Sequence, residues 1–218
     1  MKYHVLALSL SFLLTAGCGS KIDDLKSETQ SSTVPTTETD GVVTATVNPK
    51  ADAKIVASRG GSLADSSIEI TAGTLAIDTA SVALAMGEAG DQTAALAPSL
   101  GFSAATVVDG TTALFVGPTG SPIGVSNPMV LNLPLPITEK SLKLTGSGQL
   151  ALIYLIYTEG KYRAGIKPLE AADLRGVFIN TEVNGLGFYR VIYLPTKVEA
   201  KVIDSVLTPS LKSTENRK

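Results

Sequence analysis

From Gly41 onward, short runs of β-branched and aromatic residues alternate with Gly, Pro, Asp and Asn at close spacing, the pattern of an all-β sandwich or barrel. Strands are predicted over Val42–Val47, Ile55–Ser58, Ser67–Thr71, Ser81–Met86, Ala113–Val116, Met129–Leu135, Leu150–Thr158, Lys161–Ile166, Val177–Val183 and Gly187–Leu194. A period of two places Val82, Leu84 and Met86 on one face of their strand. It does the same for Leu131, Leu133 and Leu135, with Asn132 and Pro134 turned the other way. Pro134 has no N–H to give a ladder, so its strand ends or lies at an edge there. The run "QLALIYLIYT" is apolar on both faces and fits a central, covered strand, with Tyr154 and Tyr157 at the margin of a core.

Asp109-Gly110, Gly117-Pro118-Thr119-Gly120 and Asn184-Gly185 are turn signals that suit hairpins. Helix is scarce. Glu170 to Arg175 has room for one or two turns, and Lys197 to Leu207 carries Val198, Val202 and Val206 every fourth residue, which suits a short helix or a last strand. The expected fold is an antiparallel β-sandwich over residues 42–195, with a polar tail over 196–218.

The region before the sandwich is different. Gly19 to Asp40, "GSKIDDLKSETQSSTVPTTETD", carries seven charges and almost no large apolar side chain, so burial offers little to offset its ordering entropy. Residues 18–41 are therefore expected to be a tether, with a root-mean-square reach of roughly 25 Å for a flexible chain. Ahead of it, Lys2 and the apolar run Val5 to Leu14 are too short for a span of about 20 residues and suit a cleaved signal peptide over residues 1–17.

The run ends in Leu14-Thr15-Ala16-Gly17-Cys18, two small residues directly before the only cysteine of the chain. This resembles the lipobox of bacterial lipoproteins, with Thr15 where that family most often has leucine and Leu14 one step earlier. The resemblance implies that Cys18 becomes the mature N-terminus and is lipidated with fatty-acyl chains such as palmitate. Gly19, where retained lipoproteins often carry aspartate, implies the outer membrane in an organism that has one. A secreted chain with a free or dimer-forming thiol is the ordinary alternative.

Composition narrows the chemistry. With one cysteine there is no internal disulfide, and the only histidine, His4, lies in the segment expected to be removed. A Cys–His nucleophile, a Ser-His-Asp triad and His-ligated metal sites are thereby excluded from the mature chain. A net charge of −2 with scattered Lys and Arg offers no basic face to a nucleic-acid backbone.

Two stretches inside the β region resemble the sandwich domain shared by ankyrins, netrin receptors and zona occludens scaffolds. In "GGSLADSSIEITAGTLAIDTASVAL" the matching positions are Gly60, Gly61, Leu63, Ile70, Ala72, Gly73, Leu75, Asp78 and Thr79. Thr71, Thr74 and Ala80 depart from the pattern. In "ALFVGPTGSPIGVSNPMVLNLPLP" they are Gly117, Pro118, Gly120, Pro128, Val130, Leu131, Leu133 and Pro134. The resemblance implies a protein-interaction module. Some members of that wider group cut themselves at His-Phe-Ser; the counterpart here, Gly187-Phe188-Tyr189, lacks both reacting residues.

No nucleophile elbow, phosphate loop or dinucleotide fingerprint occurs, and "TGSGQL" at Thr145 fits a turn. Asp52, Asp65, Glu69, Asp78, Glu88 and Asp91 are near enough in sequence to suggest a carboxylate pair, but no Asp-x-Asp-x-Asp calcium loop is present. The expectation is a lipid-anchored envelope protein that is not an enzyme. It needs no cofactor or metal, and its partners are the membrane, through Cys18, and an envelope protein. The competing expectation is a carbohydrate-binding or carboxylate-dependent cell-wall enzyme.

Overall fold

The computed structural model describes residues 31–57, 63, 65–107, 109–118, 122–135 and 148–209, with the backbone alone for 109–118. The strands are β1 (Thr36–Thr39), β2 (Val42–Val47), β3 (Ala53–Val56), β4 (Ser67–Ile70), β5 (Val82–Glu88), β6 (Asp109–Pro118) and β7 (Met129–Pro134). They continue as β8 (Gln149–Thr158), β9 (Lys161–Pro168), β10 (Leu174–Arg175), β11 (Phe178–Val183), β12 (Leu186–Leu194) and β13 (Lys201–Asp204), and one helix, α1, covers Thr93–Leu100. The fold is all-β. An eight-stranded sheet runs β1-β2-β5-β6-β12-β8-β9-β13, and a five-stranded sheet runs β10-β11-β7-β4-β3; every strand pair is antiparallel.

Alternation decides which side chains enter the core. In β7, Met129, Leu131 and Leu133 are buried while Val130, Asn132 and Pro134 are half-exposed. β2 and β11 show the same period. These inward faces share one core with Val43, Leu84, Met86, Leu152, Tyr189 and Val191 of the large sheet, which makes the two sheets a sandwich.

A second core lies on the outer face of the large sheet. Ile153 and Leu155 of β8, Ala164 and Ile166 of β9, and Phe188 and Ile192 of β12 are covered there by Leu96 and Leu100 of α1, with Val198, Ile203 and Leu207 packed alongside. This explains why β8 and β12 are apolar on both faces: each separates two cores. β8 is the covered central strand its composition predicts.

Several expectations are corrected. Asp109-Gly110 opens β6 instead of forming a hairpin. Asn184-Gly185 carries the chain from β11 in one sheet to β12 in the other, so its flanking strands do not pair. That crossing is fastened by the Tyr189 hydroxyl, which is buried and donates to the Gly185 carbonyl, the arrangement of a tyrosine corner. Two-residue hairpin turns among the described residues are Asp40-Gly41, Glu159-Gly160 and Gly176-Val177; in the first two, φ is 54° and 76°, and 52° and 79°, both residues left-handed as a type I′ turn requires.

β7 ends at Pro134 but is the middle strand of its sheet, not an edge. Residues 32–39, expected in the tether, are built into the sandwich. Val34 N–H donates to the Lys54 carbonyl (3.0 Å) and Lys54 N–H to the Ser32 carbonyl (3.0 Å), after which β1 pairs with β2. Lys201–Asp204, expected in the tail, pairs with β9 as β13.

Candidate functional site

The residues singled out by the sandwich-domain resemblance come together as a joint between strands. Thr71 and Thr74 exchange a hydroxyl hydrogen bond of 2.8 Å, and Thr74 N–H donates to the Thr71 carbonyl (3.0 Å). Gly73 turns the chain at φ +77° and its N–H donates to the Pro49 carbonyl (2.8 Å). Ala72 N–H donates to Asp52 Oδ1 (2.8 Å).

Leu75, now buried, bridges to Val125, flanked by Ala76 N–H donating to Gly124 and Ser126 N–H to Thr74. The two quoted stretches thus meet at this bridge, along the β4–β7 ladder and where Leu84 pairs with Pro118. Leu63 lies in the shared core. Gly117 and Pro118 are the last residues of β6, opposite Ala85 and Leu84. Cys18, Gly60, Gly61 and Gly120 lie outside the described residues, as do residues 18–30 of the expected tether and 210–218 of the tail.

Several of the described polar side chains form clips between elements. Lys167 of β9 reaches across from the large sheet to Thr181 of β11 in the small one (Nζ to Oγ1, 2.5 Å). The Thr181 hydroxyl donates to Asp173 Oδ1 (2.5 Å), and Lys167 Nζ stands 3.5 Å from the same oxygen. Asp173 Oδ2 accepts the Glu170 N–H at 2.9 Å, capping the 3-10 turn over Ala171–Asp173. Thr181 is 3% exposed and both its neighbours are satisfied, so no substrate reaches its hydroxyl. A threonine at a core-facing position of "FINTEV" was the available signal, since a buried hydroxyl requires a partner.

A second clip joins β12 to α1. Arg190 Nη1 donates to Asp91 Oδ1 (2.5 Å) and Thr93 Oγ1 (2.7 Å), while Asp91 Oδ1 accepts the Thr93 N–H (2.9 Å) at the helix start. At the rim, Lys161 and Arg163 hold Asp204, and Arg163 also holds Glu159.

Electrostatics follow from this pairing. Burial works to raise the Asp173 carboxyl, but the Thr181 hydroxyl, the Glu170 N–H and Lys167 outweigh it and hold the pKa below the ordinary value. Asp91 behaves alike: burial opposes, and Thr93 and Arg190 prevail. Asp204 is lowered chiefly by its hydrogen bond from Lys161. Burial raises the Tyr189 phenol, with Tyr154 beside it, and burial also raises Tyr154.

The acids therefore bind protons more weakly folded than unfolded. Their stabilisation is present above the ordinary carboxylate pKa and is lost as pH falls through the lower folded value. Denaturant midpoints should fall on acidification from about pH 5 toward pH 2, and Asp173→Asn should flatten that decline. An unchanged slope in the variant would show that Asp173 is not part of a clip.

Five of the six acids considered as a pair have placements of their own. Glu69 is held by Lys54 (2.6 Å), Asp78 by Lys50 (2.8 Å) and Asp91 by Arg190. Asp52 caps Ala72, and Asp65 sits in a turn at φ 61°. Among the described residues no group of three or more His, Cys, Asp or Glu could hold a metal, and no helix is long and apolar enough to cross a membrane.

Fold and side-chain clusters together define an all-β sandwich with a covered outer face, its described polar clusters serving to join layers. No family model, no curated protein and no solved structure matches the chain.

Proposed function

We propose that this chain is a lipid-anchored bacterial envelope protein whose β-sandwich is a protein-interaction module. The observation that carries the anchor is the sequence Leu14-Thr15-Ala16-Gly17-Cys18 behind a short apolar run. Its position, thirteen residues before the sandwich begins at Ser31 (31 − 18), suits a module held near a membrane. The interaction role is supported by the resemblance of the Gly60–Leu84 and Ala113–Pro136 stretches to a known interaction domain. It fits polar clusters whose described members bind each other.

Three acyl chains at Cys18 would hold the protein far more firmly than one, because each buried methylene adds about 0.8 kcal/mol. Expressed in a bacterial host and crosslinked in membranes, the wild-type chain is expected in the membrane pellet, joined to an envelope protein. Cys18→Ala is expected in the soluble fraction. A variant that stays in the pellet overturns the anchor, and a wild-type chain that crosslinks to no protein overturns the module.

A further inference from the structure

The topology assigns each loop to one of two ends. Pairing Thr36 with Ala45, Val47 with Val82, Leu84 with Pro118, Gly187 with both Val116 and Ile156, and Asp204 with Arg163 fixes one end of the sandwich. That end holds Ser31–Thr36, the Asn48–Asp52 turn, the Thr71–Asp78 loop, the Glu159-Gly160 hairpin and Ser205–Val206. The opposite end holds Asp40-Gly41 and the β10–β11 hairpin with Val177, since Phe178 pairs with Pro134 while Val183 pairs with Met129.

Exposed apolar side chains mark both ends. Ile77 (36% exposed) and Val206 (100%) stand at the first, Val177 (57%) and Leu174 (38%) at the second. The chain leading from Cys18 joins the fold at the first end, where residues 32–34 run beside Lys54. The geometry points to this end as the face that rests on the lipid surface, with Ile77 and Val206 dipping into it. This rests on lipidation of Cys18.

Reach decides between the ends. Thirteen residues from Cys18 to Ser31 span at most about 45 Å fully extended, and a random chain of that length averages roughly 20 Å. The nine residues of β12 make the sandwich about 30 Å tall. Seating the far end on the bilayer would stretch the connecting chain along the height of the sandwich, to roughly two-thirds of its full length and well beyond its random average. Seating the near end requires none of this.

Charge does not compete with apolar contact here. Lys50, Lys161 and Arg163 are paired with Asp78, Asp204 and Glu159, and Asp52 adds a further carboxylate, so the described part of the seat has no cationic excess and suits zwitterionic lipid.

The chain contains no tryptophan, so single-tryptophan variants report one place each. Ile77→Trp, Val206→Trp and Val177→Trp all fall at exposed sites and leave the core packed. In full-length lipidated protein reconstituted into brominated phosphatidylcholine vesicles, emission of Ile77→Trp and Val206→Trp is expected to shift to the blue and be quenched. Val177→Trp is expected to emit as in solution. Quenching of Val177→Trp alone, or of none while the protein stays vesicle-bound, overturns the orientation and leaves the anchor standing. Protein absent from the vesicles overturns both.

Discussion

Phe188→Ala is expected to cost about 3–5 kcal/mol of folding stability, read as a lower denaturant midpoint with an unchanged slope. Phe188 is fully buried in the outer core, on the face of β12 that packs beneath α1 and the C-terminal segment. Its neighbours across the ladder are Leu155 of β8 and Phe115 of β6. Backbone ladders on both sides hold β12 in place, so the sheet cannot collapse into the space the ring leaves. Against a typical total of about 5–15 kcal/mol, one such loss is large. A loss below about 1 kcal/mol would mean that the outer layer is not packed as a core.

Gly187→Ala is expected to lie at the upper end of the roughly 1–3 kcal/mol that overpacking costs, or beyond it. A Cβ there would stand 2.2 Å from the Leu155 carbonyl oxygen and 2.9 Å from the Ile156 Cα. Both are backbone atoms of a paired strand, so neither can swing aside as a side chain would. Gly73→Ala is the contrast. No atom lies within 4 Å of its Cβ position and only the φ of +77° opposes the change, so the cost should be near 1 kcal/mol. Equal effects of the two substitutions, measured by denaturation, would contradict the β8–β12 register.

Strands that border a core were legible because burial writes a period of two, or a continuous apolar run, into the sequence. All ten predicted strands are present, most shifted by one to three residues at an end. β1 was missed for the converse reason: all four of its residues are exposed, so no apolar face marks it. Its turn, Asp40-Gly41, was the signal to use.

α1 was also missed, although Thr93, Leu96, Ala97 and Leu100 are buried at helical spacing, Asp91 precedes them and Gly101 closes the helix with φ 92°. Alanine-rich and short, with Pro98 inside it, the segment carries only a weak helical pattern. Asn184-Gly185 misled because the same dipeptide turns a chain between two sheets as readily as between paired strands. Thr181 at a core-facing position signals that its hydroxyl needs a partner, but not which one: Lys167 lies in the other sheet, and sequence distance carries no trace of that contact.

The domain boundaries drawn from composition change accordingly. A polar segment counted as tether through residue 41 is part of the sandwich from residue 32. This shortens the sequence between Cys18 and the first described residues of the sandwich.

The proposed attachment at Cys18 is tested by the intact mass of the protein extracted from membranes. The expected species begins at Cys18 and is heavier than the polypeptide 18–218 by its acyl groups. A mass equal to an unmodified chain, whether begun at Met1 or cut near Cys18 with a free thiol, would contradict it.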